Sequence, residues 1–279
     1  MPFIDLDSTR LYYQLIGQGR PVVFVNGWTM SCEYWMPLIE QLKDQHLCLV
    51  YDARGFARSR PLSASAGVDI DDHVEDLHTL INRLGLKDVN LVGHGLGAWT
   101  AILCTRRHPQ DVITLTAVAP ESEPQQEEKL AEAPTIWQQA SLLLKDLAAL
   151  PVLRNLVAWR YRQVAEPYRT QLCEDFAQAD RRVAYNMLAS VMGVDNQERL
   201  QQALSELVLP VLLARGMQDR LCPEPLFRRL FTLINRGKMA TVRGCGHLPM
   251  LEYTKEFATL LADFFAKNAK PSRQALTRV

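Results

Sequence analysis

Residues Leu91–Ala98 read LVGHGLGA, with glycine at 93, 95 and 97. The segment DVNLV that leads in has the continuous apolar character of a strand buried on both faces. The segment LGAWTAILCTRRHP that follows reads as a short, largely apolar helix. Arg106 and Arg107 fall in its last turn, where cations suit the helix dipole, and Pro109 lies beyond it. A strand, a tight turn and a helix in this order form the setting of G-x-S-x-G, which lifts a serine nucleophile out of its centre. The centre here is Gly95, which has no side chain. Such a turn drives its central residue toward positive φ, a strain of about 1–3 kcal/mol for most residues. Glycine adopts that conformation freely. Deliberate disarming of such a turn more often uses alanine, which favours a natural glycine and leaves an engineered one open.

Working outward, RPVVFVNGW, HLCLVYDARG, VITLTAVAP, LPVLLARG and, more weakly, KMATVRGCG repeat the buried-strand pattern. FIDL and TRLYYQLIG form an expected edge hairpin at the start. Between strands lie helical patterns. In DIDDHVEDLHTLINRLG, Ile70, Val74, Leu77, Ile81 and Leu84 recur three or four apart, with acidic residues early and Gly85 as the stop. Alternating strands and helices imply an α/β fold with a parallel sheet and right-handed crossovers. From Glu121 to Leu207 no buried strand is expected, only helical patterns punctuated by Pro151 and Pro167. This stretch is expected to be an all-helical cap inserted after strand 6. Its Trp and Leu stripe packs on the sheet domain, walls a pocket, or does both. The expected organisation is a core of 1–120 and 208–270, a cap of 121–207 and a flexible tail of 271–279.

Composition narrows the function classes. The 279 residues carry 31 Lys plus Arg and 31 Asp plus Glu, a net charge of zero without a basic cluster. That offers no electrostatic footprint for nucleic acid or an anionic membrane. No apolar window approaches the roughly 18 residues of a membrane span. Six scattered cysteines form no C-x-x-C pair, and Cys48 and Cys104 lie in core-like runs, which points to a reducing, cytoplasmic setting. His46, His73, His78 and His108 show no spacing with carboxylates or cysteines that suggests a metal site. GHGLG lacks the Lys-Ser/Thr of a phosphate loop and the spacing of G-x-G-x-x-G. No cofactor is expected, and the oligomeric state is left open.

Four landmarks in order carry a resemblance to the capped α/β-hydrolase superfamily. They are FVNGWTMS after the first parallel strand, YDARGFARS after the next, the turn at Gly95, and the pair GMQDRLCP and GCGHLPMLE. The resemblance implies an α/β-hydrolase fold, a mostly parallel central sheet flanked by helices. It also implies that Asp219 and His247 are the acid and base, and that the backbone N–H groups of Trp28 and Leu96 form an oxyanion hole. Three departures stand out: Asn26 replaces a usual His, Ala57 a common Gly, and Gly95 the nucleophile. Asp52 and Arg54 match residues that brace loops.

Gly95 cannot form an acyl-enzyme, so the ordinary serine cycle is excluded. Three readings stay open. The chain is a disarmed esterase-like hydrolase, natural or engineered from serine. Or His247–Asp219 works as a base dyad on a small to medium ester or other carbonyl substrate, with a water or substrate oxygen above Gly95, in direct hydrolysis or in lyase or isomerase chemistry that needs only proton transfer. Or the pocket only binds an apolar carbonyl-containing ligand or a partner. Cys32 and Cys245 lie near the pocket in sequence but occupy no elbow, and His94 is expected to be a satisfied structural histidine.

Overall fold

The computed structural model describes residues 3–121 and 164–269. Among the described residues nine strands build one sheet: β1 (Phe3–Asp5), β2 (Thr9–Ile16), β3 (Arg20–Val25), β4 (His46–Tyr51), β5 (Arg60–Pro61), β6 (Val89–His94), β7 (Val112–Val118), β8 (Val211–Gly216) and β9 (Gly237–Val242). The order is β1-β2-β4-β3-β6-β7-β8-β9, with β5 paired to β2. Pairing is antiparallel among β1, β2, β4 and β5, and parallel from β4 through β9. The expected edge hairpin is thus β1–β2. The central strands β6, β7 and β8 are buried along their whole lengths, as their unbroken apolar runs require. β9 lies at the sheet's edge and is half exposed, which explains its weaker pattern.

Helices α1 (Met36–Leu42), α2 (Ile70–Arg83) and α3 (Leu96–Arg107) cross between the early strands. α2 buries Ile70, Val74, Leu77, Leu80 and Ile81, the face the 3.6-residue period selects. Its N-terminus is closed by a reciprocal cap. Asp69 Oδ1 accepts from the N–H groups of Asp71 and Asp72 at 2.9 and 3.2 Å, and Asp72 Oδ2 accepts from Asp69 N–H at 3.1 Å. Asp69→Ala removes the outward half of this exchange and lowers stability by about 1 kcal/mol. Urea unfolding should show a lower midpoint with an unchanged slope.

After β7, the sixth strand if the two-residue β5 is set aside, the described chain resumes at Val164. It forms α4 (Tyr168–Gln178), α5 (Arg181–Met192) and α6 (Val194–Ser205) before β8. These helices belong to the stretch expected as the cap. Of that stretch, residues 122–163 lie outside the described residues, as does the tail 271–279. α5 packs on α2 and α3, and α6 on α3. The helices also lie against loops at the sheet's carboxyl end. Ser31 N–H donates to Asp175 Oδ2 at 2.9 Å, and Asp180 N–H donates to the Gly55 carbonyl at 2.7 Å. Helix α7 (Glu224–Thr232) follows β8, and helices α8 (Pro249–Glu252) and α9 (Thr254–Lys267) follow β9, with α9 packed on α1. Among the described residues no helix is long and apolar enough to cross a membrane.

Candidate active site

The turn at 93–97 is a strand-to-helix elbow between β6 and α3, with Gly95 at φ 55° and ψ −124°. Its N–H donates to the Val118 carbonyl on the neighbouring strand at 2.9 Å, which fixes the corner to the sheet. The flanking glycines are there for contact. A Cβ at Gly93 would lie 2.5 Å from the Gly97 carbonyl oxygen, and one at Gly97 would lie 2.0 Å from the Asn26 carbonyl oxygen. Strand and helix therefore meet backbone to backbone.

Asp219 follows β8 and His247 follows β9, so both stand at the carboxyl end of the sheet, beside the elbow. His247 Nδ1 lies 2.9 Å from Asp219 Oδ2. Asp219 Oδ1 accepts from the N–H groups of Leu221 and Cys222 at 2.8 and 3.2 Å, so its carboxylate is held at both oxygens. Burial opposes its charge, but the His247 ring and the two N–H donors prevail and hold its pKa below the ordinary value.

The other ring nitrogen of His247 meets a residue that sequence reasoning missed. Glu121 Oε1 lies 3.1 Å from His247 Nε2. The same oxygen would be 2.9 Å from a Cβ on Gly95. The sequence leads one to expect a water or a substrate oxygen above Gly95; a carboxylate of the chain itself stands there. His247 is thus clamped between two carboxylates. Burial works against the imidazolium, yet Asp219 and Glu121 outweigh it and push the pKa well above the ordinary histidine value. Glu121 is the first residue of the expected cap, in the acidic run ESEPQQEE, and nothing in that run distinguishes it. The usable signal is position: it comes just after β7, the strand next to β6, at the carboxyl edge where α/β sheets place ligands. Its backbone is tied down as well, since Trp99 Nε1–H donates to the Glu121 carbonyl.

The expected oxyanion residues fall beside the elbow. Gly27 Cα would be 3.8 Å from a Gly95 Cβ, so the loop carrying Trp28 adjoins the turn, and Leu96 opens α3. The Trp28 ring meets Phe176 of α4 edge-on, centroids 5.7 Å apart, and its Nε1–H donates to the Ala184 carbonyl of α5 at 2.8 Å. Asn26 braces its loop: Nδ2 donates to the carbonyls of Tyr51 and Met30 at 2.8 and 3.3 Å, and Oδ1 accepts from Trp35 Nε1–H at 2.9 Å. Asp52 and Arg54 are braces too. Asp52 accepts from Cys32 N–H at 2.8 Å, and Arg54 makes a bidentate pair with Asp76 at 2.6 and 2.7 Å.

The remaining candidates are inert or only half-satisfied. Cys32 and Cys245 are fully buried, and burial pushes both thiol pKa values up, away from reactive thiolate. His94 Nε2–H donates to the His247 carbonyl at 3.0 Å, but Nδ1 has no hydrogen-bond partner among the described residues. Burial and the nearby His247 lower its pKa to about 3, so it is a neutral ring that supports the His247 backbone. His78, His108 and Asp111, distant in sequence, come together with ligand atoms within 4.8 Å of one another. Sequence spacing alone does not reveal this cluster. The two imidazoles stack at 3.4 Å with planes 6° apart, so one ion cannot lie in both ring planes as it stands. The Lys87 ammonium, 3.3 Å from Asp111, already supplies positive charge there.

Residues 22–260 match the profile of the alpha/beta hydrolase family. The chain is 32% identical over 119 residues to the non-heme chloroperoxidase CPO-A1 of Kitasatospora aureofaciens, covering 41% of this chain and 42% of that protein. It thus spans about two-fifths of the length of that relative. A longer match, 24% identical over 265 residues, is to the pimeloyl-[acyl-carrier protein] methyl ester esterase of Aliivibrio salmonicida, covering 92% of this chain and 96% of that protein. Among solved structures, a thermophilic esterase from Thermogutta terrifontis superposes with a TM-score of 0.80 at 18% identity, over 96% of this chain and 99% of that one. That likeness carries the fold. With the family profile spanning most of its length, this chain belongs to the alpha/beta hydrolase family.

Proposed function

We propose that the protein hydrolyses a small to medium ester or related carbonyl substrate without a serine acyl-enzyme. His247 and Asp219 are the acid–base pair, and the backbone N–H groups of Trp28 and Leu96 are the oxyanion donors. The carrying observation is the 2.9 Å His247–Asp219 contact, set beside an elbow whose backbone is intact although Gly95 has no side chain. A pair so placed can move a proton to or from an oxygen at the reacting carbon, an effect worth roughly 10²–10⁴-fold. Preorganised N–H groups add several kcal/mol when they face the developing charge. Trp28, held between α4 and α5, gives the substrate side an apolar wall, which suits an uncharged acyl group. Relatives bearing esterase names fit this reaction class.

The test is hydrolysis of p-nitrophenyl esters of increasing acyl length by the parent chain and by His247→Ala and Asp219→Asn. Turnover should drop by roughly 10²–10⁴-fold in each variant. Equal rates with and without His247 across the series would overturn this reading.

A further inference from the structure

We propose that Glu121 is the nucleophile of this site, its carboxylate attacking the acyl carbon in place of the serine that Gly95 cannot supply. The proposal rests on the hydrolase reading and names the attacking atom that reading leaves open.

Three observations converge on it. First, Oε1 meets both markers of the nucleophile's seat, lying 3.1 Å from His247 Nε2 and 2.9 Å from the position of a Gly95 Cβ. Second, the glycine leaves the carboxylate undisturbed where it is, since a Cβ at 2.9 Å would force it to shift. Third, Trp99, fully buried in α3, holds the Glu121 carbonyl, so the residue is anchored at the sheet edge. Rival nucleophiles recede: the six cysteines are all buried, and His94 is neutral with its Nε2 used on the His247 carbonyl.

The proton count also fits. A serine triad holds one proton between hydroxyl and imidazole. Glu121 and His247 hold one as well, already on the ring, whose pKa two carboxylates raise. The charge of the three-residue unit is the same, and its nucleophile needs no deprotonation. In the first step a Glu121 oxygen bonds to the acyl carbon, and the oxyanion is received by the Trp28 and Leu96 N–H groups. The bond to the leaving oxygen or sulfur then breaks, and that atom takes the Nε2 proton of His247. The product is an acyl–Glu121 anhydride beside a neutral imidazole. In the second step His247 takes a proton from water as the water oxygen attacks the acyl carbon. The bond to Glu121 breaks, releasing the acid and restoring carboxylate and imidazolium. The sum is ester or thioester plus water giving acid plus alcohol or thiol.

The experiment uses p-nitrophenyl butyrate, whose good leaving group makes release of the acyl group the slow step. Stopped-flow should show a burst of p-nitrophenolate equal to the protein present. Hydroxylamine added during turnover, followed by digestion and mass spectrometry, should place a butyryl or hydroxamate adduct on the peptide containing Glu121. Glu121→Gln should abolish the burst and lower turnover by on the order of 10³–10⁴-fold. The adduct is mapped on the unaltered chain, so the assignment does not depend on how the variant folds. His247-dependent turnover without burst or adduct, or with an adduct elsewhere, overturns the assignment and leaves the hydrolase reading standing. Absence of His247-dependent turnover overturns both.

Discussion

Gly95→Ser should make the protein a target for fluorophosphonate probes, which leave the parent chain unlabelled at that position. The backbone of the turn and the His247–Asp219 pair beside it suit such a serine. The elbow holds the φ and ψ of 55° and −124°, the Gly27 loop adjoins it, and His247 is oriented by Asp219 at 2.9 Å. The new Cβ would begin 2.9 Å from Glu121 Oε1, the far end of a flexible side chain, so the carboxylate can give way. The hydroxyl then competes for His247 Nε2. Positive φ at a non-glycine residue strains the variant by about 1–3 kcal/mol, which should lower its urea midpoint. Titration supplies a second readout. Two carboxylates raise the folded-state pKa of His247 above its unfolded value, so its contribution to stability is full below the unfolded pKa. That contribution fades as pH rises through the folded pKa. Displacing Glu121 removes one of the two, so the His247 titration followed by NMR should move to lower pH. A folded variant that takes no probe would show that the elbow does not present its centre to His247, and the whole placement of the site would fail with it.

Much of this architecture is legible in the sequence because it rests on long, redundant patterns. Strands β6, β7 and β8 are buried throughout and read as unbroken apolar runs, and the period of α2 selects the face it buries. Asp219 and His247 can be picked out because each follows a strand in a recognisable order. What escapes are pairings made only in three dimensions. Glu121 is one of four glutamates within eight residues, and only its place beside β6 sets it apart. Asp76 sits on the buried face of α2 because Arg54 reaches it from a loop, a partnership that hydrophobic periodicity has no means to register. His78, His108 and Asp111 converge from the middle of α2 and the far end of α3 for the same reason. Short-range pattern reports elements and their faces; a site is made where elements end, and its partners are set by topology.

Gly97→Ala is expected to damage both stability and turnover. Inside a helix, alanine is favoured over glycine by about 0.5–1 kcal/mol, so propensity alone predicts a gain. Contact predicts the reverse and wins. The added Cβ would lie 2.0 Å from the Asn26 carbonyl oxygen, 2.8 Å from its carbon and 2.9 Å from the Val25 oxygen, all of them backbone atoms. Nor can that backbone retreat easily, because Asn26 is tied to Tyr51 and Trp35 and β3 is hydrogen-bonded between β4 and β6. Relief requires α3 to move off the sheet. Overpacking of this kind typically removes about 1–3 kcal/mol, and rigid backbone on one side places this case at or above the upper end. The same movement parts Leu96 from the Trp28 loop, so ester turnover should fall further than the change in folded fraction explains. Urea unfolding and rates measured on fully folded protein separate the two effects. A variant as stable as the parent would mean that β3 and α3 can be spread without cost, and that Gly97 is there for some reason other than close approach.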